Sequence, residues 1–225
     1  MLTKEKAIQN LDEIIKKIEF ARLQVSPHRI VQIIGVSKYN TTEDVELLYK
    51  AGQRAFGENK VQDLKEKQEA LDDLPLSWHF IGTLQKNKIN NLIDLNPTLM
   101  HSLDSLELAE ELDKKLKAKN KTMNCLLQIN SAYEDTKSGV DPKVAVETYK
   151  TIQNKYVNIK LNGVMSIGAH TDDKNVIKNS FQTTKNIFDK CDGATICSMG
   201  MSSDFELAIL HGSNMIRVGS GLFKI

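Results

Sequence analysis

The chain has 225 residues, 40% hydrophobic and 26% charged, an ordinary composition for a folded globular protein and one that argues against extensive disorder. Lysine and arginine number 30 against 29 acids, so no net field draws the protein to nucleic acid or another polyanion. Cys125, Cys191 and Cys197 are odd in number, lack a C-x-x-C pair and have no histidine at ligand spacing, so neither a disulfide framework nor a zinc site is indicated.

The N-terminus, MLTKEKAIQNLDEIIKK, carries charges throughout and no apolar signal region. No stretch reaches the roughly 18 apolar residues of a membrane span, and a cytoplasmic protein is expected. Ile8, Leu11, Ile15 and Ile18 recur at helical spacing among lysine and glutamate, predicting an amphipathic helix. Acids interrupt any basic face, so its stripe is expected to pack rather than bind a membrane.

Eight short apolar or β-prone runs follow in order: IVQIIGVSK, RAFGEN, SWHFIG, PTLMHSL, MNCLLQIN, KLNGVMSIG, TICSMGM and NMIRVGSGLF. Between them lie helical stretches with start signals at Thr42, at Asp104, at Asp141 with Pro142, and in a Ser203-to-Glu206 capping box. This β-then-α alternation without a long linker predicts one domain over residues 1–225. Eight units fit a closed (β/α)8 TIM barrel behind the N-terminal helix, with an open doubly wound sheet as the alternative.

In such a barrel, functional groups sit past the carboxyl ends of the strands, and phosphate often binds after strands 7 and 8. Lys38 closes the first strand on the alternation of Ile34 and Val36, which points it inward. Beside an apolar wall its amine could attack an aldehyde; the competing reading is a lysine reaching solvent, as Lys60, Lys86 and Lys137 also stand near strand ends. After strands 7 and 8, Gly200, Gly219 and Gly221 permit close backbone approach, Ser198 and Ser220 offer hydroxyls, and the helix after Ser203 offers N–H groups: the parts of a phosphate cradle, or two glycine-rich turns.

Arg217 alternates with Met215 and Gly219, toward either a ligand or a buried ion pair. Glu58 and Asn59 after strand 2, and His79 in strand 3, are weaker candidates for the same mouth. The five histidines include no H-E-x-x-H and no clustered pair, so no metal site follows. GMSSD lacks the G-x-S-x-G pattern of a serine hydrolase.

The blocks GVSKYNTTEDVELLYKAGQRAFGENKVQD, WHFIGTLQKNKI, HSLDSLELA, LLQINSAYEDTKSGV, GVMSIGA and SMGMSSDFELAILHGSNMIRVGSGLF together resemble, in order, the pyridoxal phosphate homeostasis protein family. The resemblance implies a single barrel similar to the barrel domain of alanine racemase, with pyridoxal 5'-phosphate held as a covalent aldimine on Lys38. It further implies phosphate contacts from Ser198, Gly219 and Ser220, Arg217 facing the pyridine nitrogen, and Asn59, His79 and Met165 around the cofactor. Two departures stand out: the family commonly has threonine at Ser220, and it continues past IFG where this chain ends in LFKI.

An arginine at the ring nitrogen disfavours a protonated ring and so restrains carbanion chemistry. The resemblance also implies that the racemase barrel is completed by a second domain that supplies a tyrosine base; nothing in the spacing of Tyr39 or Tyr133 marks either as a substitute. The resemblance therefore implies a monomeric carrier or buffer in vitamin B6 homeostasis, passing cofactor transiently to apo-enzymes, without demonstrable catalysis. The alternatives are a weak amino-acid racemase or other enzyme of this cofactor, and a regulatory scaffold. Lys137, in EDTKSGV, would steer phosphate or pair with Glu134 or Asp135.

Overall fold

A computed structural model describes residues 2–134 and 138–225. Eight parallel strands close into a barrel in sequential order, with β1 hydrogen-bonded to β8. They are β1 (Gln32–Val36), β2 (Ala55–Glu58), β3 (Ser77–Phe80), β4 (Leu99–Leu103), β5 (Met123–Ile129), β6 (Ile159–Ser166), β7 (Ile196–Ser198) and β8 (Met215–Val218). Each falls on one of the runs read from the sequence, β6 starting one residue earlier than its run at Ile159, and the open sheet is excluded because the β1–β8 ladder joins Ile34 to Arg217.

The helices are α1 (Lys4–Leu23), α2 (Thr42–Ala51), α3 (Val61–Ala70), α4 (Ile89–Leu95), α5 (Leu106–Ala118), α6 (Ala145–Lys155), α7 (Lys174–Phe188) and α8 (Phe205–Leu210). Strand residues divide by parity, as a two-residue period requires. Phe56, Trp78, Phe80, Met100, Cys125, Leu127 and Val164 join the large core beneath the helices. Ile34, Ala55, Leu99, Leu126, Met165 and Met215 form a separate small cluster of the opposite parity, inside the barrel.

Helix starts differ in detail from the sequence reading. Thr41 rather than Thr42 caps α2, with Asp44 completing a capping box, and Ser105 rather than Asp104 caps α5. Asp141 and Pro142 open a turn instead, in which Asp141 accepts from the Lys143 N–H and α6 begins only at Ala145. The Ser203–Glu206 box does not form: Asp204 occupies the N-cap position of α8, and its carboxylate accepts from the Met201 N–H at 2.6 Å. At α2, α5 and α8 two adjacent polar residues compete for one position, and the backbone turn selects between them.

The stripe on α1 is also rotated from the expected one. Ala7, Asn10, Leu11, Ile14, Ile18 and Ala21 are buried, whereas Ile8 and Ile15 are 40% and 41% exposed. The helix packs on α2 and α8 across the β8–β1 seam, and Asn10 decides its rotation by donating to the Leu222 and Lys224 carbonyls at 3.0 and 2.7 Å. These bonds tie the first helix to the segment after β8. Asn10→Ala is expected to lower unfolding free energy by about 2 kcal/mol, the cost of leaving buried carbonyls without a donor, measured by urea denaturation.

Candidate functional site

Inside the barrel, chemistry changes one step along the strands. Two residues past Leu99, Ile196 and Met215 of the apolar cluster come His101, Ser198 and Arg217, and β3 places His79 beside them. Side chains two apart share a face, so these polar groups form a layer above an apolar floor, toward the carboxyl ends of the strands.

Arg217 sits at the centre of this layer and is only 5% exposed. One guanidinium nitrogen donates to the Ser198 carbonyl and hydroxyl at 3.0 and 2.8 Å, and the other to the Ser166 carbonyl at 2.8 Å. Burial pushes its pKa down to about 10, with the Asp204 carboxylate acting in the opposite sense, so it remains a cation at neutral pH. Its partners are neutral oxygens, not the buried ion pair considered as the alternative. Three bonds engage three of the five N–H donors of a guanidinium.

His79 and His101 were not expected to meet. Their ring nitrogens are 2.9 Å apart, and both are buried. The pair arises because β3 and β4 are adjacent and each histidine faces inward; sequence spacing alone does not reveal it, since residue 79 is aligned with Leu99 rather than with His101. Burial pushes His79 down to about 4 and His101 well below the ordinary imidazole range, with His79 and the Arg217 charge adding to the latter. Among the described residues no cluster of histidine, cysteine and carboxylate side chains could hold a metal ion.

At the mouth, the ends of β1 and β8 emerge side by side. Lys38 is exposed, with its ammonium 5.6 Å from the ring centroid of Tyr39, a residue in the left-handed backbone region at φ 70°. Of the two readings of its side chain, the structure shows the one that reaches solvent rather than one beside an apolar wall. What lies beneath it is a buried network: Lys67 on α3 donates to the Ser37 carbonyl at 2.7 Å and to Glu58 at 2.5 Å, and the Ser37 hydroxyl donates to the same carboxylate oxygen at 2.6 Å. Glu58 therefore points outward to α3 rather than lining the mouth. Asn59, one residue on, is half-buried with its side-chain oxygen buried and unpartnered.

The β7 and β8 loops converge on the same mouth. Gly200 has φ 96°, and a Cβ there would stand 2.6 Å from that of Ala208; only glycine fits. A Cβ on Gly219 would crowd the Val36 carbonyl at 3.3 Å. The Gly219 N–H donates to the Ser202 hydroxyl at 3.2 Å, and Ser220 is exposed beside it. Met165 is buried in the inner apolar cluster.

The alanine racemase N-terminal domain family matches residues 9–225. The pyridoxal phosphate homeostasis protein of Helicobacter pylori strain J99 is 54% identical over 216 residues, which cover 96% of this chain and 97% of that protein. The chain belongs to the pyridoxal phosphate homeostasis protein family. A crystal structure of a protein from Bifidobacterium adolescentis matches with TM-score 0.92 at 29% identity over 97% of this chain and 95% of that one. The structure of PipY from Synechococcus elongatus with PLP bound matches with TM-score 0.79 at 32% identity, over 92% of this chain and 98% of that one.

Of the residues read from the sequence of this family member, Lys38, Asn59, Gly219 and Ser220 lie at the mouth, with Gly200 beneath the β7 loop. His79, Met165, Ser198 and Arg217 lie inside the barrel. Ser198 is fully buried, and its hydroxyl is engaged by Arg217 and, at 3.4 Å, by His101. Ser202 is the serine that touches the Gly219 loop. Parity carried the missing signal, because Ser198 shares the inward face of Ile196 whereas Ser202 lies beyond the glycine turn. The role considered for Lys137 lies outside the described residues.

Two outcomes follow from the buried charges. Lys67→Met is expected to cost about 3 kcal/mol by urea denaturation because it strands the Glu58 charge, and Glu58→Gln in the same chain should restore part of that loss. Because the folded protein resists protonating His79 while the unfolded chain accepts a proton near pH 6.5, its contribution is complete above pH 6.5 and is lost as pH falls toward about 4. At pH 5 this amounts to about 2 kcal/mol, with His101 acting in the same direction. Unfolding free energies at pH 7 and pH 5 check it.

Proposed function

We propose that this chain binds pyridoxal 5'-phosphate covalently through Lys38 and serves as a carrier and buffer in intracellular PLP homeostasis. It does so as a single-domain, cytoplasmic monomer that meets apo-enzymes only transiently. The observation that carries the reading is the donor-only guanidinium of Arg217, buried in the barrel below a mouth where Lys38 and the two glycine-bearing loops converge. The relatives named for this homeostasis role, and the PLP-bound PipY structure, support it.

The residues present suit the cofactor. Gly219 leaves room where a Cβ would crowd Val36, Ser202 and Ser220 place hydroxyls beside it, and the buried oxygen of Asn59 has no protein partner. When bound, pyridoxal phosphate supplies an aldehyde for reversible condensation with amines and a ring that withdraws electrons. Lys38 is the amine exposed at the end of β1, and the Ser202–Gly219–Ser220 loops would hold the phosphate. Arg217 can donate but not accept, so the group it faces must be an acceptor. An unprotonated ring nitrogen meets that demand and weakens electron withdrawal, which favours holding the cofactor over transforming an amino acid.

Exposure of Lys38 also suits a protein that must release what it binds. Its ammonium rests near Tyr39 without an ion pair among the described residues, leaving little to reorganise when the amine reacts. The Lys67 bond to the Ser37 carbonyl anchors the preceding residue. The strand end is thereby tied to α3 while the Lys38 side chain stays exposed.

On mixing with pyridoxal phosphate, the protein is expected to develop a visible imine absorbance, and borohydride reduction should fix the modification on Lys38 by mass mapping. Lys38→Ala should abolish the band while leaving the fold intact by circular dichroism. No band, or an adduct spread over surface lysines, would overturn the reading.

A further inference from the structure

A continuous string of hydrogen-bonding groups runs through the barrel beneath the site. The Thr98 and Ser77 hydroxyls are 3.0 Å apart at the amino ends of the strands, and Ser77 Oγ lies 3.3 Å from His79 Nε2. His79 Nδ1 is 2.9 Å from His101 Nε2, His101 Nδ1 is 3.4 Å from Ser198 Oγ, and Ser198 Oγ accepts from Arg217 at 2.8 Å. His79, His101, Ser198 and Arg217 are all buried, so each of their polar atoms needs a protein partner or is left unsatisfied at a cost of about 1–3 kcal/mol.

One direction satisfies every member. Arg217 only donates, so the Ser198 oxygen accepts from it and the Ser198 proton needs an acceptor; among the described residues that acceptor is His101 Nδ1. His101 then carries its proton on Nε2 and donates to His79 Nδ1. His79 likewise carries its proton on Nε2 and donates to Ser77, which donates to Thr98. In the opposite direction, Ser198 would accept from both Arg217 and His101 while its own proton had no partner. A doubly protonated imidazole at either position would set donor against donor and add a charge beside Arg217. The burial that pushes both imidazoles toward neutrality acts in the same sense.

We propose that His79 and His101 are positioning residues, two neutral imidazoles protonated on Nε2 that fix the Ser198 hydroxyl and so hold Arg217 as the donor facing the cofactor ring. This rests on the cofactor reading above. The string sets the polarity of the buried layer from the amino end of the barrel, where the Thr98 hydroxyl ends it, to the guanidinium. Removing His101 leaves the Ser198 proton without its acceptor and so changes what holds the Arg217 guanidinium. Neither histidine touches the cofactor in this role; both act through Ser198.

Two readouts separate the relay from the cofactor reading. In cofactor-free protein labelled with 15N-histidine, long-range proton–nitrogen spectra are expected to show His79 and His101 protonated on Nε2 alone, unchanged from pH 6 to 8. A proton on Nδ1 of either ring overturns the proposal. In loaded protein, His101→Leu should still be modified at Lys38 but should shift the visible band and release cofactor about tenfold faster, the scale of one lost hydrogen bond near a charge.

His101→Asn, which keeps an acceptor toward Ser198, should recover most of the wild-type rate. A folded His101→Leu protein with wild-type band and rate overturns the proposal, whereas a loss of thermal stability without spectral change assigns the pair a structural role only and also overturns it. Should His101→Leu not fold, the spectra of the cofactor-free protein decide. A wild-type protein that forms no band fails the cofactor reading instead, whatever the histidine protons show.

Discussion

The rest of the site depends on one constraint: a guanidinium that keeps its charge inside a closed barrel. Water cannot reach Arg217 freely, so three of its donors are met by the Ser198 and Ser166 carbonyls and the Ser198 hydroxyl. Such oxygens are available there because β6 and β7 end beside β8. The same need places neutral imidazoles, not carboxylates, in the layer around it. A carboxylate within that layer would pair with the arginine; the carboxylate that acts on its charge is Asp204, at the start of α8 and itself pushed up by burial.

The strand ends supply a second level of control. Lys38 is the freest of the proposed binding groups, yet the residue before it is held on three sides. The Ser37 N–H bonds to the Gly57 carbonyl, its hydroxyl to Glu58, and its carbonyl to Lys67. A buried ion pair of this kind contributes little net stability compared with an apolar pair, but it is costly to break on one side. Here its consequence is geometric: α3 reaches under the β1 loop and fixes where the Lys38 side chain begins.

Much of this was legible in the sequence. Each of the eight strands falls on one of the β-prone runs, and the β-then-α rhythm, with ladders between sequential neighbours, left few alternatives to a barrel. Lys38, Arg217 and the glycines were legible because they punctuate strand ends. What escaped was set by partners distant in sequence. The His79–His101 contact depends on the register of two strands, and the outward turn of Glu58 depends on Lys67 nine residues later on a helix face. The rotation of α1 depends on Asn10 meeting carbonyls more than 200 residues away. Ser198 and Ser202 look alike in GMSSD and its flank, and only strand parity distinguishes the buried one.

A barrel of this kind offers a lysine, a cradle and a fixed donor, but among the described residues no acid–base group stands across the mouth from Lys38 at hydrogen-bonding distance. The proposed division between holding and transforming the cofactor can therefore be read at a single atom. Loaded protein incubated with an amino acid in heavy water should exchange the α-proton no faster than free pyridoxal phosphate at the same concentration. Robust exchange that disappears in Lys38→Ala would contradict the carrier account and make the protein an enzyme.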